Sequence, residues 1–394
     1  MEERNVDAAA LAERVRRARM QRDLNQTQLA RAAGVSQSTV SRIEKGDREV
    51  TLVEADALAR ALELPLDTLL HGSGVQERVL VALRTATRGV DRGAAIGPGV
   101  ELLEFDERLD TVEPAFRQQP RPAPVTPPPS GAPSTQGARL AATLREALQL
   151  GEGPIAELPE LIEEVTGVDV ASRPLVGTSG MCLDDPQRQT RLLLVNSNET
   201  AERQRFTLAH ELGHLLFGDG AHVEGLDGED REVETRCNEF ARNFLAPQQG
   251  IEGWLARNVN AGQMSDQVVS LLARYFGVST EVVKIQLERM GRRAAEPVQS
   301  TPVSAARYGW RAEYDAAQVS AHRPRPPRRL AQRAASAYAR GLVGAAAVAK
   351  LDGRAVADVE AELAELRVAT APQTRTGGRV SVDSLLARAA ARQQ

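Results

Sequence analysis

The sequence predicts a mainly α-helical protein with one small α+β domain, and three observations carry that prediction. Aromatic side chains make up only 3% of the chain, and Ala and Leu supply much of the apolar content, which favours helices packing small and aliphatic residues. Apolar residues recur at helical spacing in blocks separated by turn residues along most of the length. Only 168–170 (VDV) and 191–195 (RLLLV) read as short strands. At 394 residues the chain exceeds what one hydrophobic core usually serves, so two or three domains are expected.

Composition also excludes several classes. The first residues lead into no long apolar run, so neither a secretory signal nor a membrane span is expected, and the chain is assigned to the cytoplasm. Cys182 and Cys237 are too few for a disulfide scaffold and form no CxxC pattern, so they read as two buried thiols. A formal net charge of -4 argues against a protein that coats nucleic acid along its whole length. Local charge differs: Arg14, Arg16, Arg17, Arg19 and Arg22 crowd together ahead of the first motif.

That motif lies in residues 1–72, a compact set of short helices. Asn25 caps one helix with Gln28 as its capping-box partner, Gly34 supplies a sharp turn, and Ser36 caps the next helix. Small Ala30 allows a close crossing, and Leu29, Val40 and Ile43 face a shared core. The second helix then presents Gln37, Ser38, Ser41 and Arg42 outward, side chains able to bond base edges or phosphates in a major groove. Gln26 starts its helix where phosphate contact is common, and Arg17 and Arg19 are expected on the backbone. The stretch SQSTVSRIEKG (36–46) closely resembles the helix-turn-helix of the XRE or phage-repressor family. That resemblance implies a double-stranded DNA operator, and palindromic half-sites imply a homodimer.

Residues 73–117 read as a helical spacer or dimerisation segment. The stretch QQPRPAPVTPPPSGAPSTQG (118–137) is too poor in apolar side chains for a core and too rich in Pro for helix or sheet, so it is read as a linker. Apolar spacing resumes at Ala138, opening a second folded domain over 138–295. Residues 296–394 form a helical, Ala- and Arg-rich C-terminal region.

The second domain contains FTLAHELGHLLF (206–217). On a helix, residues four apart share a face, so His210 and His214 can reach one metal with Glu211 beside it, while Leu208, Leu212, Leu215 and Leu216 bury the helix. This is the HExxH pattern of zincin-like domains. A catalytic zinc site takes three protein ligands and leaves a position for water. The metzincin extension is excluded, because Phe217 and Gly220 stand where its glycine and histidine would be needed. His222, Glu232, Glu234 and Glu239 remain as candidates for the third ligand.

HELGHLLFG followed by ETRCNEFARNFLAP resembles the paired helices of the ImmA/IrrE family of metallopeptidases. The resemblance extends over about 140–295, including a helix-turn-helix-like segment at 264–287 that in the family packs within the peptidase region. It implies that His210, His214 and Glu234 bind Zn2+, with Glu211 as general base. It also implies a zinc endopeptidase that relieves repression by cleaving a protein substrate, a partner repressor or the chain itself, under a stress or other inducing condition. Two other functions fit the same residues: a metal-binding sensor without hydrolysis, and an antitoxin-like repressor.

Overall fold

The computed structural model describes residues 8–22, 24–48, 50–62, 64, 66–71, 74–75, 78–79, 93–112, 116–119, 121–128, 130–219, 222–223, 231–259, 264–292 and 297–362. The chain is mainly helical with one small sheet, as its composition predicts.

Five short helices come first: α1 (Ala8–Gln21), α2 (Gln26–Ala32), α3 (Gln37–Glu44), α4 (Leu52–Ala61) and α5 (Leu66–His71). Their limits follow from local chemistry. Asn25 and Gln28 form the expected capping box on α2, Ser36 caps α3, and Thr51 with Glu54 forms a second capping box on α4. Leu29, Val40, Ile43, Leu58 and Leu62 are buried together in a core belonging to these helices.

The rest is organised around a sheet with strands β1 (Asp169–Arg173), β2 (Gly180–Asp185), β3 (Thr190–Asn196) and β4 (His222–Val223), in the order β1-β3-β2-β4. β1 runs parallel to β3, while β2 is antiparallel to both β3 and β4. Side chains alternate across the sheet. Val170, Cys182, Leu193 and Val195 enter one core, and Ala171, Met181, Leu183, Leu192 and Leu194 enter another. Both faces are covered, which explains why 192–195 is apolar throughout instead of alternating.

The first face carries α7 (Pro133–Ala147), α8 (Leu158–Thr166), α9 (Ala201–Phe217), α10 (Arg231–Leu245), α11 (Gln248–Asn258), α12 (Asp266–Phe276) and α13 (Thr280–Arg289), all contributing to one core. The helix-turn-helix-like pair α12–α13 buries Val269, Leu272, Phe276, Val283 and Leu287 in it. Beyond it, α14 (Thr301–Arg307) and α15 (Arg311–Ala321) pack through Ala305, Trp310 and Tyr314. Gln318 of α15 accepts from the Ala201 N–H at the start of α9, and its amide donates to Glu202.

The opposite face is covered by α6 (Gly93–Val112), α16 (Arg328–Ala339) and α17 (Ala345–Asp352), with Val75 and Val79 in the same core. The fully buried Arg333 pairs with Asp106 and Asp110; Arg329 reaches Asp106 and Asp169, and Arg188 reaches Asp106. Arg78 is bound to Asp185 at 2.7 Å. The segment read as a spacer and part of the C-terminal region therefore form a common layer on the sheet.

The proline-rich stretch read as a linker is fastened down. Gln118 bonds both the N–H and the carbonyl of Arg191, Arg121 N–H donates to Thr166, and Val125 is buried in the main core. From Pro133 the chain is already α7, Pro occupying the first turn where its missing N–H does no harm. Local composition here yields to tertiary contact.

Candidate functional site

The metal-site residues sit on two adjoining helices. α9 is capped by Thr200 and ends at Gly218. His210, Glu211 and His214 are 3%, 0% and 4% exposed. Leu208, Leu212 and Leu216 of α9 lie in the main core, as the HExxH frame requires. Helix α10 runs alongside with Phe240, Phe244 and Leu245 buried, and brings in Glu234.

His210 Nε2 and His214 Nε2 stand 2.9 Å apart, and Glu234 offers one carboxylate oxygen to each, at 3.4 and 3.3 Å. Three ligand atoms thus converge within 4.8 Å of one another. Two imidazole Nε2 atoms aimed at each other beside a carboxylate form a site for positive charge. The electrostatics of these groups agree. Burial opposes charge on His214, but hydrogen bonds to Asp219, Cys237 and Glu234 outweigh it and raise the imidazole, so a cation at Nε2, a proton or a metal ion in its place, is favoured. Burial likewise opposes ionisation of Glu234, yet its hydrogen bonds to the two histidines hold it well below the usual carboxylate range. Nitrogen and oxygen donors in this arrangement fit a divalent metal such as zinc.

The other candidates for a third ligand are placed differently. Glu232 is exposed on the first turn of α10. Glu239 is buried and committed to Arg242 and Arg289. His222 lies in β4, and its side chain falls outside the described residues.

One neighbouring residue went unread in the sequence. Asp219, just past the end of α9, accepts from His214 Nδ1 at 3.0 Å, while its other oxygen binds Arg236 of α10. Its sequence signal was only a carboxylate one residue after a helix-ending glycine. Cys182 and Cys237 are both buried and outside any disulfide, and Cys237 contacts Asp219. A separate cavity of about 450 Å³, lined by Gln118, Asp184, Arg191, Leu215 and Leu216 among others, includes none of the three converging side chains.

In the first domain Gly34 adopts φ +66° between α2 and α3. Gln37, Ser38 and Arg42 are exposed on α3, and Ser41 is half-buried. Gln37 donates to the Gln26 side-chain carbonyl at 2.9 Å, and Gln26 donates to Glu44 at 2.9 Å. Arg19, expected on the DNA backbone, is engaged within the domain. It forms two hydrogen bonds with the Glu44 carboxylate, at 2.6 and 3.1 Å, and a third with the Leu24 carbonyl. Arg19 thus ties α1 to α3. The Arg17 side chain lies outside the described residues.

Residues 163–288 match a family described as the IrrE N-terminal-like domain, and residues 15–69 match a helix-turn-helix family. The radiation response metalloprotease IrrE of Deinococcus radiodurans is 37% identical over 130 residues, covering 30% of this chain and 38% of that protein. IrrE of Deinococcus deserti is 33% identical over 175 residues, covering 42% of this chain and 58% of that protein. The chain thus spans less than two thirds of the length of either relative. The crystal structure of Bacillus thuringiensis PlcR with the peptide PapR7 and DNA covers 78% of this chain and 99% of its own. At 13% identity and a TM-score of 0.18 it carries no argument. Among the described residues no helix is long and apolar enough to cross a membrane.

Proposed function

We propose that this chain, which joins a helix-turn-helix domain to an IrrE N-terminal-like metallopeptidase domain, is a DNA-binding regulator whose zinc-dependent peptidase relieves repression by cutting a protein substrate. The convergence of His210, His214 and Glu234 from two packed helices is the observation that carries this reading. When bound, zinc supplies Lewis acidity, bringing water near neutrality and polarising a carbonyl. Glu211, next to His210 on α9, is the group to take the proton from the attacking water and return it to the leaving amine. The substrate is a partner repressor or the chain itself, and the DNA-bound form is a homodimer on a palindromic operator. Cleavage is tested by incubating the zinc-loaded chain with itself and with candidate repressors and sequencing any fragments. Absence of specific fragments would overturn the peptidase reading.

A second reading, a metal sensor without hydrolysis, is favoured by one observation: Glu211 is 0% exposed, and a substrate carbonyl has to reach its neighbourhood. Metal-dependent change in operator affinity with no fragments would select it.

Removal of any one of His210, His214 or Glu234 by alanine should abolish stoichiometric zinc, since a three-ligand site cannot spare a donor. Glu232→Ala should retain it. Metal analysis of the purified variants checks both, and full zinc in Glu234→Ala would exclude Glu234 as a ligand.

On DNA, Gln37→Ala and Arg42→Ala should relax sequence preference, each lost base contact costing about 1–3 kcal/mol. Arg19→Ala should act through stability. It leaves Glu44, whose side chain is 4% exposed, without its cation, a loss approaching about 3 kcal/mol. Operator titrations on matched and mismatched sites, beside thermal melts, separate the two effects.

A further inference from the structure

We propose that Asp219 is the positioning residue of the metal centre, fixing the ring of His214 so that Nε2 faces the metal, and joining α9 to α10 beside the ligands. This rests on the reading of His210, His214 and Glu234 as metal ligands.

The geometry grips one histidine twice. The Asp219 N–H donates to the His214 carbonyl at 3.1 Å, and the Asp219 carboxylate accepts from His214 Nδ1 at 3.0 Å. An acceptor at Nδ1 keeps the proton there and leaves the Nε2 lone pair directed at His210 and Glu234. Nδ1 and Nε2 lie on different edges of the ring, so Asp219 supports the ligand from behind and does not join the ligand cluster. Its carboxylate is itself fixed from α10. One oxygen accepts from Arg236, whose guanidinium also lies 4.5 Å above the Phe217 ring, and the other is 3.8 Å from Cys237 Sγ. Arg236 and Cys237 follow Glu234 by two and three residues on the same helix. Asp219 thus sets the distance between the helices that carry the donors as well as the orientation of one donor.

The support is one-sided. His210 Nδ1 is buried with no hydrogen-bond partner among the described residues. The ring of His214 is held by the protein, while that of His210 is held by its rotamer and by whatever Nε2 binds.

The test uses the full chain. Asp219→Ala is expected to weaken zinc binding by about 10–100-fold in chelator competition and to alter the visible spectrum of the cobalt(II)-substituted protein, whose absorption reports ligand geometry. Glu234→Ala, measured beside it, is expected to lose stoichiometric metal. If Glu234→Ala binds zinc as the wild type does, the ligand reading itself fails. If Glu234→Ala loses zinc while Asp219→Ala keeps wild-type affinity and an unchanged cobalt spectrum, the ligand reading stands and the positioning role is overturned. A measurement on the zinc-loaded wild type removes any dependence on folding of the variant. Long-range 15N–1H correlations of labelled histidine are expected to show His214 protonated at Nδ1 and coordinated through Nε2. The opposite tautomer would overturn the proposal.

Discussion

Glu211→Gln is expected to lower peptide hydrolysis by about 10²–10⁴-fold, the contribution of a positioned general base, with zinc content unchanged. The amide keeps the shape of the side chain but cannot accept the water proton, and none of the three converging donors is touched. Since Glu211 is fully buried, replacing a carboxylate by a neutral isostere removes a desolvated charge, and the variant should melt no lower than the wild type. In cells a regulator carrying Glu211→Gln should bind its operator and stay bound under inducing conditions. A reporter that still responds normally would mean that hydrolysis is not how the protein acts, and would favour the sensor reading.

The second large effect is expected at Gly137. An ideal Cβ built there would sit 2.1 Å from the Arg236 carbonyl oxygen, 2.7 Å from the Phe240 nitrogen and 2.8 Å from Glu239 Cβ. Helix α7 therefore meets α10 backbone to backbone, and no rotamer change can make room. Gly137→Val should cost about 3 kcal/mol or more, at or beyond the upper end of overpacking. Because α10 carries Glu234, the displacement should also lower zinc affinity. Urea unfolding and metal titration check the two consequences. Ser130→Val, at an exposed position a few residues earlier, should stay within about 0.5 kcal/mol of wild type. Equal stability of the Gly137 and Ser130 variants would show that this crossing is looser than drawn.

Gly137 also shows where the sequence stops being legible. Beside seven prolines and several small polar residues it reads as one more linker position, because composition reports only what a segment can do alone. What holds 118–137 in place is contributed by distant residues: Arg191, Thr166 and the surface of α10. The first-domain helices were legible for the opposite reason, since their caps and turn lie within a few residues of one another: Asn25 with Gln28, Ser36 with Thr39, and Gly34 between.

The metal cluster divides along the same line. His210 and His214 share a helix face and are visible as a spacing. Glu234 lies on another helix, and residue chemistry alone left it level with His222, Glu232 and Glu239; the family resemblance singled it out. Asp219 follows a helix end, where periodicity no longer says which way a side chain points. Strand β2 was also missed, because Gly180 and the two terminal aspartates dilute its apolar pattern, and only pairing with β3 and β4 makes it a strand.

The layer on the outer face of the sheet bears on what self-cleavage could accomplish. Val75 and Val79 are buried there, Arg78 is held by Asp185, and α6 is locked to α16 through Asp106, Asp110 and Arg333. A cut anywhere between α6 and α7 would sever the chain without parting its halves, much as a nicked protein survives as a complex of complementary fragments. The first five helices would remain attached to the IrrE N-terminal-like domain. Among the described residues Val75 is the first embedded in that layer, so a cut between His71 and Val75 would free them, and the location of any nick tells whether it is a release or merely a scar.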